Sequence, residues 1–146
     1  MVQDWSSSAT FAWTPGTLNS YTVEVWSRSA GNTVDAYEGY KDIAYTVTAP
    51  PPLTFSATTA DKASPQAAGT TITFTANASG GTAPYQYKWW VKNGSTWSMV
   101  RDWSTSATFA WTPGTANSYT VEVWGRSAGN NADTYEAYRD LAFTVQ

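Results

Sequence analysis

The chain reads as an all-β protein, an antiparallel β-sandwich preceded by part of a second one. Three observations lead there. Short runs with an apolar residue at every second position recur between Gly, Pro and Asn turn signals, and no useful length of chain repeats its apolar residues with helical spacing. The composition is 42% apolar and 16% aromatic with only 13% charged, which can fill a core and excludes wholesale disorder. Residues 1–47 recur as residues 99–145 at an offset of 98 without a gap, with eleven of the 47 positions changed. A repeat on that scale sets the architecture before any single strand does.

The repeat also sets the boundaries. Between the copies lies 48–98, which opens on Ala49-Pro50-Pro51-Pro52 and has no second copy. The natural unit is therefore about 98 residues, and the chain holds one whole unit plus the second half of another. We expect a partial unit over 1–48, a Pro-rich linker over 49–53 that stiffens the joint, and a complete domain over 54–146. Met1 aligns with Met99, inside the unit, so the chain reads as starting within a longer tandem array, with any secretion signal lying upstream.

In the whole unit Leu53–Thr59 reads as the first strand, A, and Ser64-Pro65-Gln66 to Gly69 as the turn after it. Thr70–Ala78 alternates Ile72, Phe74 and Ala76 against threonines as strand B, and Gly80-Gly81 ends it. Strand C is Tyr85–Lys92, with Tyr85, Tyr87, Trp89 and Val91 on one face and Gln86, Lys88, Trp90 and Lys92 on the other. Asn93-Gly94 is expected as the central pair of a type I′ hairpin turn, from which Trp97–Trp103 returns. Ala107, Phe109 and Trp111 point inward from strand E, and Pro113-Gly114 suits the centre of a type II turn. Strand F turns Tyr119, Val121 and Val123 inward and Thr120, Glu122, Trp124 and Arg126 outward; Leu141, Phe143 and Val145 close the core from strand G.

Seven or so strands in about 93 residues, with a large aromatic in strand C, resemble an immunoglobulin (Ig) or fibronectin type III sandwich. The resemblance covers the whole unit and implies that Trp89 holds the buried tryptophan position of strand C and Tyr119 the tyrosine corner. Val121 stands where the antibody pattern has the strand F cysteine, opposite Ile72 or Phe74. The missing disulfide departs from antibody domains and points to fibronectin-like or bacterial Ig-like branches. Ser64-Pro65-Gln66-Ala67-Ala68-Gly69-Thr70, Gly80-Gly81 and Tyr87-Lys88-Trp89 are similar to bacterial Ig-like tandem repeats of large secreted or surface proteins. That resemblance implies an extracellular or cell-surface parent protein and specifies no ligand.

Composition removes several classes of function. Without Cys or His there is no thiolate or imidazole to serve as ligand, nucleophile or base, so zinc sites, haem ligation and His-dependent triads drop out. No motif calls for a cofactor. A net charge of −3, with eight Lys and Arg spread thinly, leaves no nucleic-acid footprint. No apolar run approaches the ~18 residues of a membrane span, so no membrane insertion is expected. Ser and Thr are abundant, but no Ser-x-x-Lys or Gly-x-Ser-x-Gly is present to activate one. Asn77-Ala78-Ser79 and Asn93-Gly94-Ser95 match the N-glycosylation pattern, which matters only in a eukaryotic secretory setting.

The partial unit poses a problem of its own. It carries the equivalents of strands E, F and G and none of A, B or C. Its inward face would show Phe11, Trp13, Tyr21, Val23, Val25, Ile43, Tyr45 and Val47. Leaving such side chains in water forgoes ~1.5–3 kcal/mol each. Residues 54–98 of the same chain could cover it, but the linker 48–53 spans at most ~20 Å at ~3.3–3.6 Å per residue. A second copy could cover it by stacking or by strand exchange, and the remaining alternative is a frayed segment. The expectation is a homodimer built by residues 1–48.

Two groups of side chains are candidates for chemistry. Trp90 and Trp124 point outward from neighbouring strands C and F, with Lys88, Lys92, Glu122 and Arg126 around them. They could form a flat platform for the sugar rings of a polysaccharide, or a cation–π ladder in which Arg126 and Lys88 stack on tryptophans and stiffen the sheet. Trp26 beside Arg28 is the counterpart in the partial unit. The acids Asp133, Glu136 and Asp140, repeated as Asp35, Glu38 and Asp42, could bind Ca²⁺ or serve a carboxylate-dependent hydrolase. Solvated charge at the start of strand G accounts for them equally, and Asp102 and Asp4 read as turn acids. The leading expectation is a non-enzymatic repeat acting as spacer and interaction or adhesion module. Carbohydrate binding through Trp90 and Trp124 is the alternative, and a cryptic hydrolase the third.

Overall fold

The computed structural model describes residues 2–146. They form two compact units, Met1–Ala49 and Pro50–Gln146. All regular structure among the described residues is antiparallel β.

The second unit is a sandwich of seven strands: β3 (Thr54–Ala60), β4 (Ile72–Ser79), β5 (Gln86–Asn93), β6 (Thr96–Ser104), β7 (Thr108–Trp111), β8 (Asn117–Arg126) and β9 (Ala137–Val145). One sheet has the order β3-β4-β7, the other β6-β5-β8-β9. In lettered terms these are A-B-E and C′-C-F-G, so the strand after C pairs with C and leaves the E edge free. Residues 66–68 run along the β9 edge, where the Gln66 and Ala68 N–H groups donate to the Thr144 and Gln146 carbonyls. That segment covers an edge which would otherwise invite pairing.

The alternation read from the sequence is what fills the core. Ile72 and Phe74 from β4, Trp89 from β5 and Val121 and Val123 from β8 have no exposed surface. Phe74 lies at the centre of the aromatic packing, with ring centroids 6.5 Å from Trp89, 6.5 Å from Phe109 and 5.7 Å from Phe143. Tyr119 takes the corner position: its hydroxyl donates to the Thr115 carbonyl at 2.9 Å. Val121, at the strand F position, and Ile72 and Phe74 of β4 are all buried in the same core cluster.

Three local expectations are corrected. The β5–β6 hairpin turns on Gly94-Ser95, and Asn93 stays in the ladder opposite Thr96. Only Gly94 then needs positive φ, which it has at 59°, as in a type II′ turn with Gly first. Gly114 has no positive φ, so Pro113-Gly114 is not the centre of a type II turn. The Pro113 carbonyl accepts instead from Gly69 N–H at 2.7 Å. The expected linker 49–53 is partly annealed to the sandwich. Leu53 is buried, and Pro51 O accepts from Gly81 N–H at 2.6 Å.

The first unit has two strands, β1 (Asn19–Ser27) and β2 (Gly39–Val47), paired in register from Asn19↔Val47 to Ser27↔Gly39. They are the counterparts of β8 and β9. The third strand expected over Phe11–Trp13 does not form. Its counterpart β7 owes its ladder entirely to β4, from Ile72↔Trp111 to Thr75↔Thr108. Among the described residues of the first unit no strand pairs with Phe11–Trp13 to supply those bonds.

Candidate functional site

Register alone brings one group of outward side chains together on the four-stranded sheet. Trp90, Glu122 and Asp140 occupy one row across β5, β8 and β9. Lys88, Trp124 and Tyr138 occupy the next row. Lys92 lies opposite Trp97 of β6 on the far side. Rows spaced two residues apart share a face, so rings and charges alternate across the sheet.

The two cations are not surface ligands, contrary to expectation. Lys88 and Arg126 are buried, at 4% and 7% exposure. Lys88 Nζ lies 2.8 Å from Asp133 Oδ1 and 3.2 Å from Asp102 Oδ1. It also lies 5.4 Å from the centre of the Trp90 ring and 5.8 Å from that of Trp103. Burial alone would lower the Lys88 pKa, but the hydrogen bonds to Asp133 and Asp102 outweigh it and raise it. Arg126 stacks under Trp103 with its guanidinium carbon 4.1 Å from the ring centre. Its N–H groups donate to Gln86 Oε1 and the Ala132 carbonyl, both at 2.7 Å. Trp103 closes the assembly by donating Nε1–H to Asp133 at 2.8 Å. This is the stiffening ladder, and its keystone is Trp103, which sequence reading left unassigned. Cations clamped in this way are spoken for.

The tryptophans do not make a flat platform. Trp90 and Trp124 have centroids 5.2 Å apart but planes tilted by 45°. Trp124 meets Tyr135 at 5.0 Å and 63°, and Tyr135 meets Tyr138 at 5.0 Å and 58°. With Trp97 these rings wall an open groove of about 490 Å³. Trp97, Tyr135 and Tyr138 are 40%, 42% and 53% exposed. Tyr138 was within reach of the sequence, since the β8–β9 register sets it against Trp124, whereas Trp97 meets Lys92 only because the hairpin turns on Gly94-Ser95, one residue beyond the expected pair. Tyr135 lies in the loop before β9 and carries no periodic signal.

Glu122 and Asp140 also line the groove. They are direct cross-strand partners, and like charges so placed repel. Glu122 accepts from Trp124 Nε1–H at 2.6 Å. Its carboxyl is nevertheless held above the ordinary glutamate range, first by burial and then, against the help of that indole, by the hydrogen bond and charge of Asp140.

The candidate Ca²⁺ ligands do not converge. Asp133 serves Lys88 and Trp103, and Asp140 faces Glu122. Glu136 accepts from Ser127 Oγ at 2.6 Å and Asn130 Nδ2 at 2.7 Å, fixing the loop before β9. Among the described residues no three Asp or Glu gather to hold a metal ion. The Lys88 and Trp103 hydrogen bonds hold the Asp133 carboxyl below its ordinary range, and those from Ser127 and Asn130 do the same for Glu136.

The first unit reproduces much of this face. Arg28 lies 4.1 Å from the Trp5 ring centre, and Trp5 Nε1–H donates to Asp35 at 2.8 Å. Trp26, Tyr37 and Tyr40 pack as Trp124, Tyr135 and Tyr138 do, and Trp26 donates to Glu24. Its other face is different. Phe11, Val25, Ile43 and Tyr45 are 43–55% exposed, whereas Phe109, Val123 and Phe143 in the second unit are buried and Leu141 is half-buried. Trp13, Tyr21, Val23 and Val47 are half-buried, with Trp13 edge-on to Tyr21 at 4.8 Å and Tyr45 at 5.9 Å.

No protein-family model and no curated protein sequence matches the chain. Among solved structures it is similar to the rat CD45 extracellular region, domains d3-d4, with a TM-score of 0.50 at 15% identity. The match covers 97% of this chain and 73% of that one. A likeness at that identity speaks for the fold, an Ig or fibronectin type III-like sandwich. No helix among the described residues is long and apolar enough to cross a membrane.

Proposed function

We propose that the chain is a non-catalytic Ig-like repeat of a bacterial extracellular protein, a spacer and adhesion or interaction module that self-associates through its first unit. The observation that carries this reading is the apolar face of β1–β2. Val25, Ile43 and Tyr45 are more than half exposed there, on a scaffold whose second copy keeps the same positions under cover. Support for the spacer role comes from the ladder of Lys88, Trp103 and Arg126, which uses its charges internally to stiffen a sheet.

Stacking of two β1–β2 faces is favoured over strand exchange by one substitution in the repeat. Gly125 corresponds to Ser27, and a Cβ at Gly125 would lie 2.6 Å from the Phe55 ring and 3.0 Å from Leu53. A partner's β3 seated on β1 as β3 sits on β8 would meet the Ser27 side chain. Sedimentation velocity on the whole chain and on Val23→Asp/Ile43→Asp tests the reading. Dimer for the parent and monomer for the variant are expected, and a parent that is monomeric at every concentration overturns it.

The second reading is polysaccharide binding through Trp90 and Trp124. The groove favours it, and the tilt of the rings weighs against a flat sugar platform. A glycan array with the parent chain and Trp124→Ala separates the two, since a pure spacer binds nothing.

A further inference from the structure

We propose that the groove on the four-stranded sheet of the second unit receives a methylated ammonium group, with the rings of Trp90, Trp97, Trp124 and Tyr138 as its walls and Glu122 and Asp140 supplying the counter-charge. The site is the groove, and its two kinds of lining point to the same guest. The rings that line the groove meet one another at 45–63° and offer no extended plane. Aromatic rings attract a cation through their quadrupoles. The volume of about 490 Å³ lies within the range of small-ligand clefts, ~300–1,000 Å³.

The carboxylates give the second argument. Among the described residues the ion pairs engage Asp61, Asp102 and Asp133, and neither Glu122 nor Asp140 has a cation within 4.0 Å. Two carboxyls face each other across β8 and β9 with an indole N–H as the hydrogen-bond donor to one of them. A neutral sugar leaves that repulsion in place, whereas a cation relieves it. A methylated ammonium, weakly hydrated and unable to donate strongly to water, gains most from such a lining. The first unit carries Trp26, Tyr37, Tyr40, Glu24 and Asp42 in matching places. It has no counterparts of Trp90 and Trp97, so the stoichiometry is one site per chain.

The test is calorimetry and tryptophan fluorescence on the whole chain with choline, with a trimethyl-lysine peptide, and with the neutral isostere 3,3-dimethylbutanol. Saturable binding of choline, at one per chain and at least tenfold tighter than the isostere, supports a free small molecule as the guest. The same discrimination for the peptide alone supports a side-chain-borne group. Glu122→Gln/Asp140→Asn should abolish the preference over the isostere while the circular dichroism stays unchanged, and Trp124→Ala should weaken binding about tenfold, the size of one partly desolvated cation–π contact. No binding of either cation, or equal binding of the isostere, overturns the proposal. A monomeric chain that still binds choline would defeat the self-association reading and leave this one intact.

Discussion

Arg126 holds its guanidinium carbon 4.1 Å from the centre of the Trp103 ring, and Arg28 repeats the relationship with Trp5 at the same 4.1 Å. The guanidinium spends its flat face on the indole and its edge on Gln86 and the Ala132 carbonyl, so one buried charge is satisfied in two directions. Arg126→Ala should lower the unfolding free energy by ~2–4 kcal/mol, because it removes both the stacking and two charged hydrogen bonds. Arg126→Lys should recover less than half of that, since an ammonium cannot stack and fork at once. Urea denaturation of the two variants checks this, and an Arg126→Lys protein as stable as the parent would contradict it.

The corner made by Tyr119 rests on a single hydroxyl, 2.9 Å from the Thr115 carbonyl and 2.8 Å from its Oγ1. Tyr119→Phe keeps the ring in the core and leaves that carbonyl short of a donor. A loss of ~1–2 kcal/mol is expected, measured as a lower urea midpoint with an unchanged slope.

Gly125 is where the two copies differ with most consequence. Seating a Cβ 2.6 Å from the Phe55 ring forces the ring or the strand to move, and overpacking of this kind costs ~1–3 kcal/mol. Gly125→Ser, which copies the first unit into the second, should destabilise by that amount. The reciprocal Ser27→Gly should change the second unit's unfolding by less than ~0.5 kcal/mol. Thermal melts of both variants decide it.

The sheet face carries two opposed pH dependences. Asp133 is held low first by Lys88 and then by Trp103, and Asp102 first by the Trp103 backbone N–H and then by Lys88. Their contribution is whole above the unfolded value near 3.8 and is lost as pH falls through the depressed folded values. Glu122 runs the other way: its contribution is whole below the unfolded value near 4.5 and is lost as pH rises through the raised folded one. Glu122→Gln should therefore melt higher than the parent near neutrality, with the difference vanishing below pH 4.5. Melting temperatures of the two proteins that stay equally far apart, or equal, across pH would sink the assignment.

Much of the sandwich was legible because a half-buried strand shows its burial as a period of two. Val121 and Val123 were placed in the core on alternation and Trp89 on the resemblance to Ig and fibronectin type III sandwiches, and all three are fully buried. The same alternation put Lys88, Trp90, Trp124 and Arg126 on one outward face, where they are. It could not say that Lys88 and Arg126 would vanish from solvent. Their cover is Trp103, whose neighbours on the sheet depend on the register shifts between Tyr87 and Trp90 in the β5–β6 ladder. The turn at Gly94-Ser95 was missed by one residue for a similar reason, since Asn-Gly satisfies the local chemistry of either register.

The order of residues by itself determined the repeat, the strand alternation and which side chains share a face, because those follow from local periodicity. Whether a given face is covered was decided in three dimensions. Phe109–Trp111 is a strand because β4 lies beside it, and the identical Phe11–Trp13 is not, because no strand among the described residues does. A β-strand's hydrogen bonds belong to its neighbour, so the same words fold differently when the neighbour is missing.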